Sequence, residues 1–295
     1  MLPPMPLHRS DLLALAAITL WASLAALGVA LTHVPPFLLT GLGLLVGSLI
    51  AWPLAGWRLD AWKLPPRTLL LGIYGLFGFH FLLFLALRHA DPVAANLVNY
   101  LWPLGMVALA PALLPTLRWH WGYAGAALLG FGGAAIAIAV ASGSASDGAT
   151  ATGRLGYLFA LGSAGIWASY SLLTQRVPAF PTAGVGAFAA ASGALSLVCH
   201  AQFEPSTALT VRDVVLIAAL GLGPLGGAFF LWDAALKRGD PRRIGLLAFL
   251  TPLLSTALLL AVRGERPGPW LAVSLSMIVG AAAWGSGLER RVRAN

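Results

Sequence analysis

"ALRHADPVAANLVNYLWPL" spans residues 86–104, and "ALKRGDPRRIGLLAFLTPL" spans residues 235–253. Laid over one another without a gap, they share Ala86/Ala235, Leu87/Leu236, Asp91/Asp240, Pro92/Pro241, Leu97/Leu246, Leu101/Leu250, Pro103/Pro252 and Leu104/Leu253. One difference follows a pattern. The first copy has Arg88 as its fixed positive charge, whereas the second has Lys237, Arg238, Arg242 and Arg243. The chain carries a duplication whose copies differ in their basic residues.

Composition sets the solvent in which the copies fold. Of 295 residues, 59% are hydrophobic and 9% charged, against about 25% charged in soluble domains. A mean hydropathy of +0.84 describes a polytopic membrane protein. The net charge of +8 raises the question of nucleic acid, which requires a basic patch on a folded surface. Here the basic residues sit in short connectors between apolar runs, so nucleic acid is excluded as a partner. Cys199 is the single cysteine, which rules out an intramolecular disulfide or a multi-cysteine metal site. HExxH, GxSxG, Walker A and CxxC motifs are absent, so no enzyme, metal or cofactor is expected. Among the 18 Lys and Arg residues only Lys63 and Lys237 are lysines, a bias that points to a GC-rich bacterial genome.

A helix needs roughly 20 apolar residues to cross about 30 Å of hydrocarbon. Ten such spans are predicted: Asp11–Thr32, Phe37–Gly56, Arg67–Leu87, Pro92–Leu114, Trp119–Ala141, Leu155–Leu173, Thr182–His200, Val214–Leu236, Pro241–Val262 and Pro269–Leu288. The apolar core of the first is longer than that of a signal peptide, so it is read as a retained helix. "SGSASDGATATG" (Ser142–Gly153) is the longest polar stretch. The expected fold is an all-α integral membrane protein. Residues 1–141 form a five-helix repeat, 142–153 a periplasmic linker, and 154–295 a second five-helix repeat.

Five is odd, so a second copy enters the membrane from the opposite side. Thirteen of the 18 basic residues fall on the side that carries both termini; the positive-inside rule makes that side cytoplasmic. The extra cations of the second copy read as its orientation signal. Two further pairs support duplication: "LWAS" (Leu20–Ser23) with "IWAS" (Ile166–Ser169), and "GIYGLFGFHF" (Gly72–Phe81) with "GLGPLGGAFF" (Gly221–Phe230). Inverted repeats of this kind build secondary transporters, with substrate bound near the midplane.

Asp91-Pro92 and Asp240-Pro241 read as helix starts, an Asp N-cap followed by Pro at the first helical position. Pro103 and Pro252 lie eleven residues further on, roughly 16 Å along a helix, near the bilayer midplane. Each frees the carbonyl four residues earlier, at Asn99 and Ala248. Such carbonyls are tolerated only against protein or a wet cavity. Gly78, Pro103, Gly223, Pro224 and Pro252 are the expected hinges. The expected binding face comprises Tyr74 and His80 on the third span and Asn96, Asn99 and Tyr100 on the fourth. The sixth span adds Trp167, Tyr170 and Ser171, the eighth Phe230, and the ninth Thr251 and Ser255. Amides and hydroxyls in hydrocarbon are costly unless paired or wet, and aromatic faces stack planar groups. Asn99 would meet an amino-acid head group, and Tyr100 and Trp167 would stack its side chain. For any one of these residues, interhelical bonding is the competing role. Asp233, inside the eighth span, is placed to pair with Lys237 one turn later.

"TPLLSTALLLAVRGERPGPWLAVSLSMIVGAAAWG" (Thr251–Gly285) combines a mid-helix Pro252, a Gly264-Glu265-Arg266 turn and a Gly-rich last helix with Gly280. With the five-plus-five organisation, this resembles the EamA type of the drug/metabolite transporter superfamily. The first half keeps Pro103 but has "PTLRWHWG" in place of the Glu turn. "NLVNYLWPL" (Asn96–Leu104) and the aromatic middle look most like the YddG-type aromatic amino-acid exporters of that family. The resemblance implies efflux of aromatic and other neutral amino acids across the bacterial inner membrane by alternating access. The paucity of ionisable residues in the spans points to facilitated uniport. A duplicated chain is expected to act as a monomer, with a small-molecule substrate and the lipid bilayer as its partners. The alternatives are a multidrug or other metabolite exporter on the same fold and, less favoured, an integral membrane enzyme.

Overall fold

A computed structural model describes residues 8–142, 151–264, 266 and 268–294. Every regular element among them is helical. The first half holds α1 (Arg9–Val29), α2 (Pro36–Leu54), α3 (Pro66–His89), α4 (Pro92–Asn99 continued by Trp102–Leu113) and α5 (Trp121–Ser142). The second holds α6 (Ala151–Leu173), α7 (Thr182–Phe203), α8 (Val211–Leu236), α9 (Pro241–Ala248 continued by Leu250–Arg263) and α10 (Pro269–Ala294). Eight helices, α1–α5 and α7–α9, are long and apolar enough to cross a membrane. The other two predicted spans are helical as well; α10 carries a shorter apolar stretch, Pro269–Gly285. Residues 143–150 of the predicted linker and Glu265 of the Gly-Glu-Arg turn lie outside the described residues. Gly264 ends α9 in the left-handed conformation (φ 70°), which glycine adopts without a Cβ penalty.

The paired motifs take paired conformations. Asp91 accepts from the Ala94 N–H and Asp240 from the Arg242 N–H, each at 2.8 Å, so both act as the predicted caps. A π-helical turn interrupts α3 at Tyr74–Gly78 and α8 at Gly223–Gly227. α4 breaks after Asn99 and α9 at Phe249, each a few residues ahead of Pro103 and Pro252. A proline ring excludes the carbonyl four residues back, so the backbone turns there.

Packing crosses between the halves. α1 lies against α8 and α9, while α6 lies against α3 and α4. Leu20 of α1 faces the α8 turn at Gly227, and Ile166 of α6 faces the α3 turn at Gly78. α2 pairs with α7 and α5 with α10. In the α2–α7 pair Gly41 and Gly193 approach so closely that a Cβ on either would meet the other's carbonyl, at 3.1 and 2.9 Å. Small residues permit such backbone approach in membrane helices. In the α5–α10 pair the Ser274 hydroxyl donates to the Gly133 carbonyl at 2.7 Å.

Candidate substrate site

Because α1 and α6 each insert into the opposite half, their tryptophans meet at the centre. Trp21 and Trp167 have ring centroids 5.8 Å apart. Trp102 of α4 and Trp232 of α8 close on Trp21 at 6.4 and 5.2 Å and on each other at 5.5 Å. Phe229 approaches Trp167 at 5.5 Å, and Phe79 does so at 5.3 Å. Most contacts are tilted or edge-on, the arrangement that the ring quadrupole favours. Trp232, only 1% exposed, donates its indole N–H to Ser171 Oγ at 3.2 Å.

Of the predicted residues, Trp167, Tyr170, Ser171 and Phe230 belong to this buried centre or bond to it. Tyr170 fits its ring against Gly75 in the α3 turn, where a Cβ would collide with it. His80 joins the rim: its Nδ1 lies 2.7 Å from the Leu76 carbonyl and its ring 6.2 Å edge-on from Phe229. Asn99 and Thr251 flank the helix breaks, and both are buried. Asn99 Oδ1 and Thr251 Oγ1 have no hydrogen-bond partner. An unpaired buried polar atom costs about 1–3 kcal/mol, so a donor would stabilise Asn99 Oδ1, and a donor or an acceptor the Thr251 hydroxyl. Tyr100 and Ser255 are half-buried and Asn96 is exposed. Tyr74 is 41% exposed and is tied through its hydroxyl to Ser169 Oγ at 2.8 Å. Of the expected hinges, Gly78, Gly223 and Pro224 lie in the π turns. Pro103 and Pro252 lie in the first turn of the helical segments that resume after the breaks.

Trp21 and Trp102 are absent from the predicted set although they stand at its centre. The signal for Trp21 was its place in "LWAS", matched to Trp167 in "IWAS". Asp233 pairs with Lys237 at 2.7 Å, as its spacing implied. Lys237 Nζ also donates to the Phe180 carbonyl at 2.9 Å and stands 3.7 Å from the Phe180 ring centroid. A second carboxylate, Asp11, is buried and pairs with Arg243 at 2.6 Å. A third, Glu204, accepts from the Phe37 and Leu38 N–H groups and from Arg88, and contacts His200. No group of three or more His, Cys, Asp or Glu suited to a metal ion occurs among the described residues.

The sequence that builds this centre matches a known family. The EamA-like transporter family model covers residues 8–139 and, a second time, residues 154–286. The chain belongs to the EamA-like transporter family. It is 40% identical over 285 residues, 96% of this chain and 98% of the relative, to the aromatic amino acid exporter YddG of Ancylobacter novellus. The YddG exporters of Salmonella typhimurium and Escherichia coli are 26% and 25% identical, each over 85% of this chain and 87% of the relative. A crystal structure of a protein 38% identical superposes with a TM-score of 0.87, covering 95% of this chain and 98% of that one. Membership in the EamA-like family points to transport rather than to an enzyme. Family membership and the eight long apolar helices together describe a multi-pass membrane protein.

Proposed function

We infer that this EamA-like transporter exports aromatic and other neutral amino acids by alternating access, as a facilitated uniporter. The observation that carries the reading is the central cluster of Trp21, Trp102, Trp167 and Trp232. Aromatic walls suit an aromatic side chain, and the unpartnered Asn99 Oδ1 suits its ammonium group. The 40% identity to a YddG exporter over nearly the whole chain supports the same substrate class. The predicted site residues are proposed as the binding face, with Trp21 and Trp102 added.

The proposed architecture is ten spans in two inverted repeats, both termini cytoplasmic, functioning as a monomer. Three observations support the two-repeat organisation: the equally spaced π turns, breaks and caps of α3–α4 and α8–α9; the reciprocal insertion of α1 and α6; and the two successive family matches. Alternating access would follow from bending at those turns and breaks. The test is flux in liposomes holding purified protein, with labelled amino acids set against cationic drugs. Flux of aromatic amino acids supports the reading. Flux of drugs without it replaces the reading with multidrug export.

A further inference from the structure

The two connectors that join α3 to α4 and α8 to α9 close on opposite halves by the same small-residue contact. Gly239 packs against Ser10 at the start of α1, where a Cβ would come 2.7 Å from the Ser10 Cβ. Ala90 packs against Gly156 near the start of α6. Their charged contacts are unequal. At the α3–α4 connector the carboxylate is Glu204, 1% exposed, which accepts from Arg88 at 3.0 Å and from the Phe37 and Leu38 N–H groups of α2; the cation there, Arg88, is 41% exposed. At the α8–α9 connector and the first turn of α9 the cations themselves, Arg242 and Arg243, are buried. Arg243 donates to Asp11 Oδ2 at 2.6 Å, with side-chain exposures of 10% and 1%. Arg242, held by Asp240 at 2.7 Å, lies 4.2 Å over the Tyr123 ring and donates to the Arg118 carbonyl at 3.2 Å. These links run from the second half to α1 and α5 of the first.

The cations align with uncharged positions in the other copy: Arg242 and Arg243 stand where that copy has Val93 and Ala94. The added charges therefore do more than orient the chain. A buried ion pair holds its partners together because separating them leaves each charge desolvated and uncompensated until water arrives. We propose that the Asp11–Arg243 pair, backed by Arg242 on Tyr123 and Arg118, is a latch. It holds the end that carries the α8–α9 connector shut more firmly than Arg88–Glu204 holds the opposite end. The resting carrier is closed at the latched end, and transport begins with the separation of Asp11 from Arg243. The proposal rests on the alternating-access reading given above.

Ala14 lies one turn beyond Asp11 in α1, and Ala160 occupies the matching place in α6; both are fully buried. In a Cys199→Ser background, Ala14→Cys and Ala160→Cys report on the two ends through their rates of reaction with a small, membrane-impermeant maleimide in nanodiscs. Asp11→Asn or Arg243→Gln is expected to speed labelling at Ala14→Cys by about tenfold while labelling at Ala160→Cys stays level or slows. The swapped pair Asp11→Arg with Arg243→Asp is expected to restore the slow rate. Should the single variants fail to fold, Arg242→Gln keeps the pair and is expected to give about a threefold rise at Ala14→Cys alone. Unchanged labelling at Ala14→Cys, or an equal rise at both reporters, overturns the latch. The readout needs no substrate. Absence of amino-acid flux with intact latch behaviour sinks the substrate reading alone.

Discussion

Trp167 touches five rings, those of Trp21, Phe79, Trp102, Tyr170 and Phe229. In the proposed site a side chain so placed would set the width and the face of the space between the halves. Trp167→Ala is expected to lower the rate of aromatic amino-acid flux about tenfold, the equivalent of about 1.4 kcal/mol of lost stacking. Trp167→Phe is expected to recover part of it. Equal rates for both variants and the parent, at matched protein amounts, would remove Trp167 from the site. Asn99 differs in kind: its Oδ1 is buried without a partner, so Asn99→Leu removes a desolvation cost while it deletes the proposed substrate contact. The variant is expected to melt no lower than the parent and to bind amino acids more weakly, which separates a binding role from a structural one. His80 is the imidazole that borders the cluster, and its Nδ1 is engaged with a backbone carbonyl. Flux is expected to follow the substrate gradient regardless of an imposed pH gradient. Uphill movement driven by pH and lost in His80→Ala would make His80 a proton carrier.

At the scale of helices, the π turns and breaks are the proposed points of bending. Gly75 gives its space to the Tyr170 ring, and that ring, inside the packed core, has nowhere to move. Gly75→Ala is expected to destabilise by about 1–3 kcal/mol through overpacking and to depress flux. Gly165→Ala, with nothing within 4 Å of the added Cβ, is the control expected to be silent in a melting curve and in flux. Much at this scale was legible in the sequence. Asp91-Pro92 and Asp240-Pro241 cap their helices because capping depends on a few adjacent residues. The breaks before Pro103 and Pro252 were readable because a proline ring acts on its own helix. The π turns were not, since Gly72–Gly78 and Gly221–Gly227 permit several conformations and the neighbouring α6 and α1 select one. Trp21 and Trp102 were missed for the same reason: which face of a uniformly apolar helix points inward is settled by its partner.

At the scale of the molecule, the pairing of α1 with α8–α9 and of α6 with α3–α4 makes each half incomplete without the other. The halves expressed apart are therefore expected to remain unfolded or aggregate, and to regain flux when co-expressed. The basic residues at one end were read as an orientation signal, yet Arg242 and Arg243 are buried and engaged. Burial is set by contacts across the halves, which local sequence does not display. Topology has its own check. Ser206, exposed in the α7–α8 connector, is expected to label from outside intact cells as Ser206→Cys in a Cys199→Ser background; labelling only from the cytoplasmic side would reverse the proposed orientation. The most direct measurement is counterflow. Liposomes with purified protein are loaded with unlabelled phenylalanine and diluted into labelled phenylalanine, with no pH gradient. The expected result is a transient, saturable accumulation of label that tryptophan competes away and that Trp167→Ala diminishes. Absence of accumulation from active, correctly folded protein that moves cationic drugs instead would contradict aromatic amino-acid export.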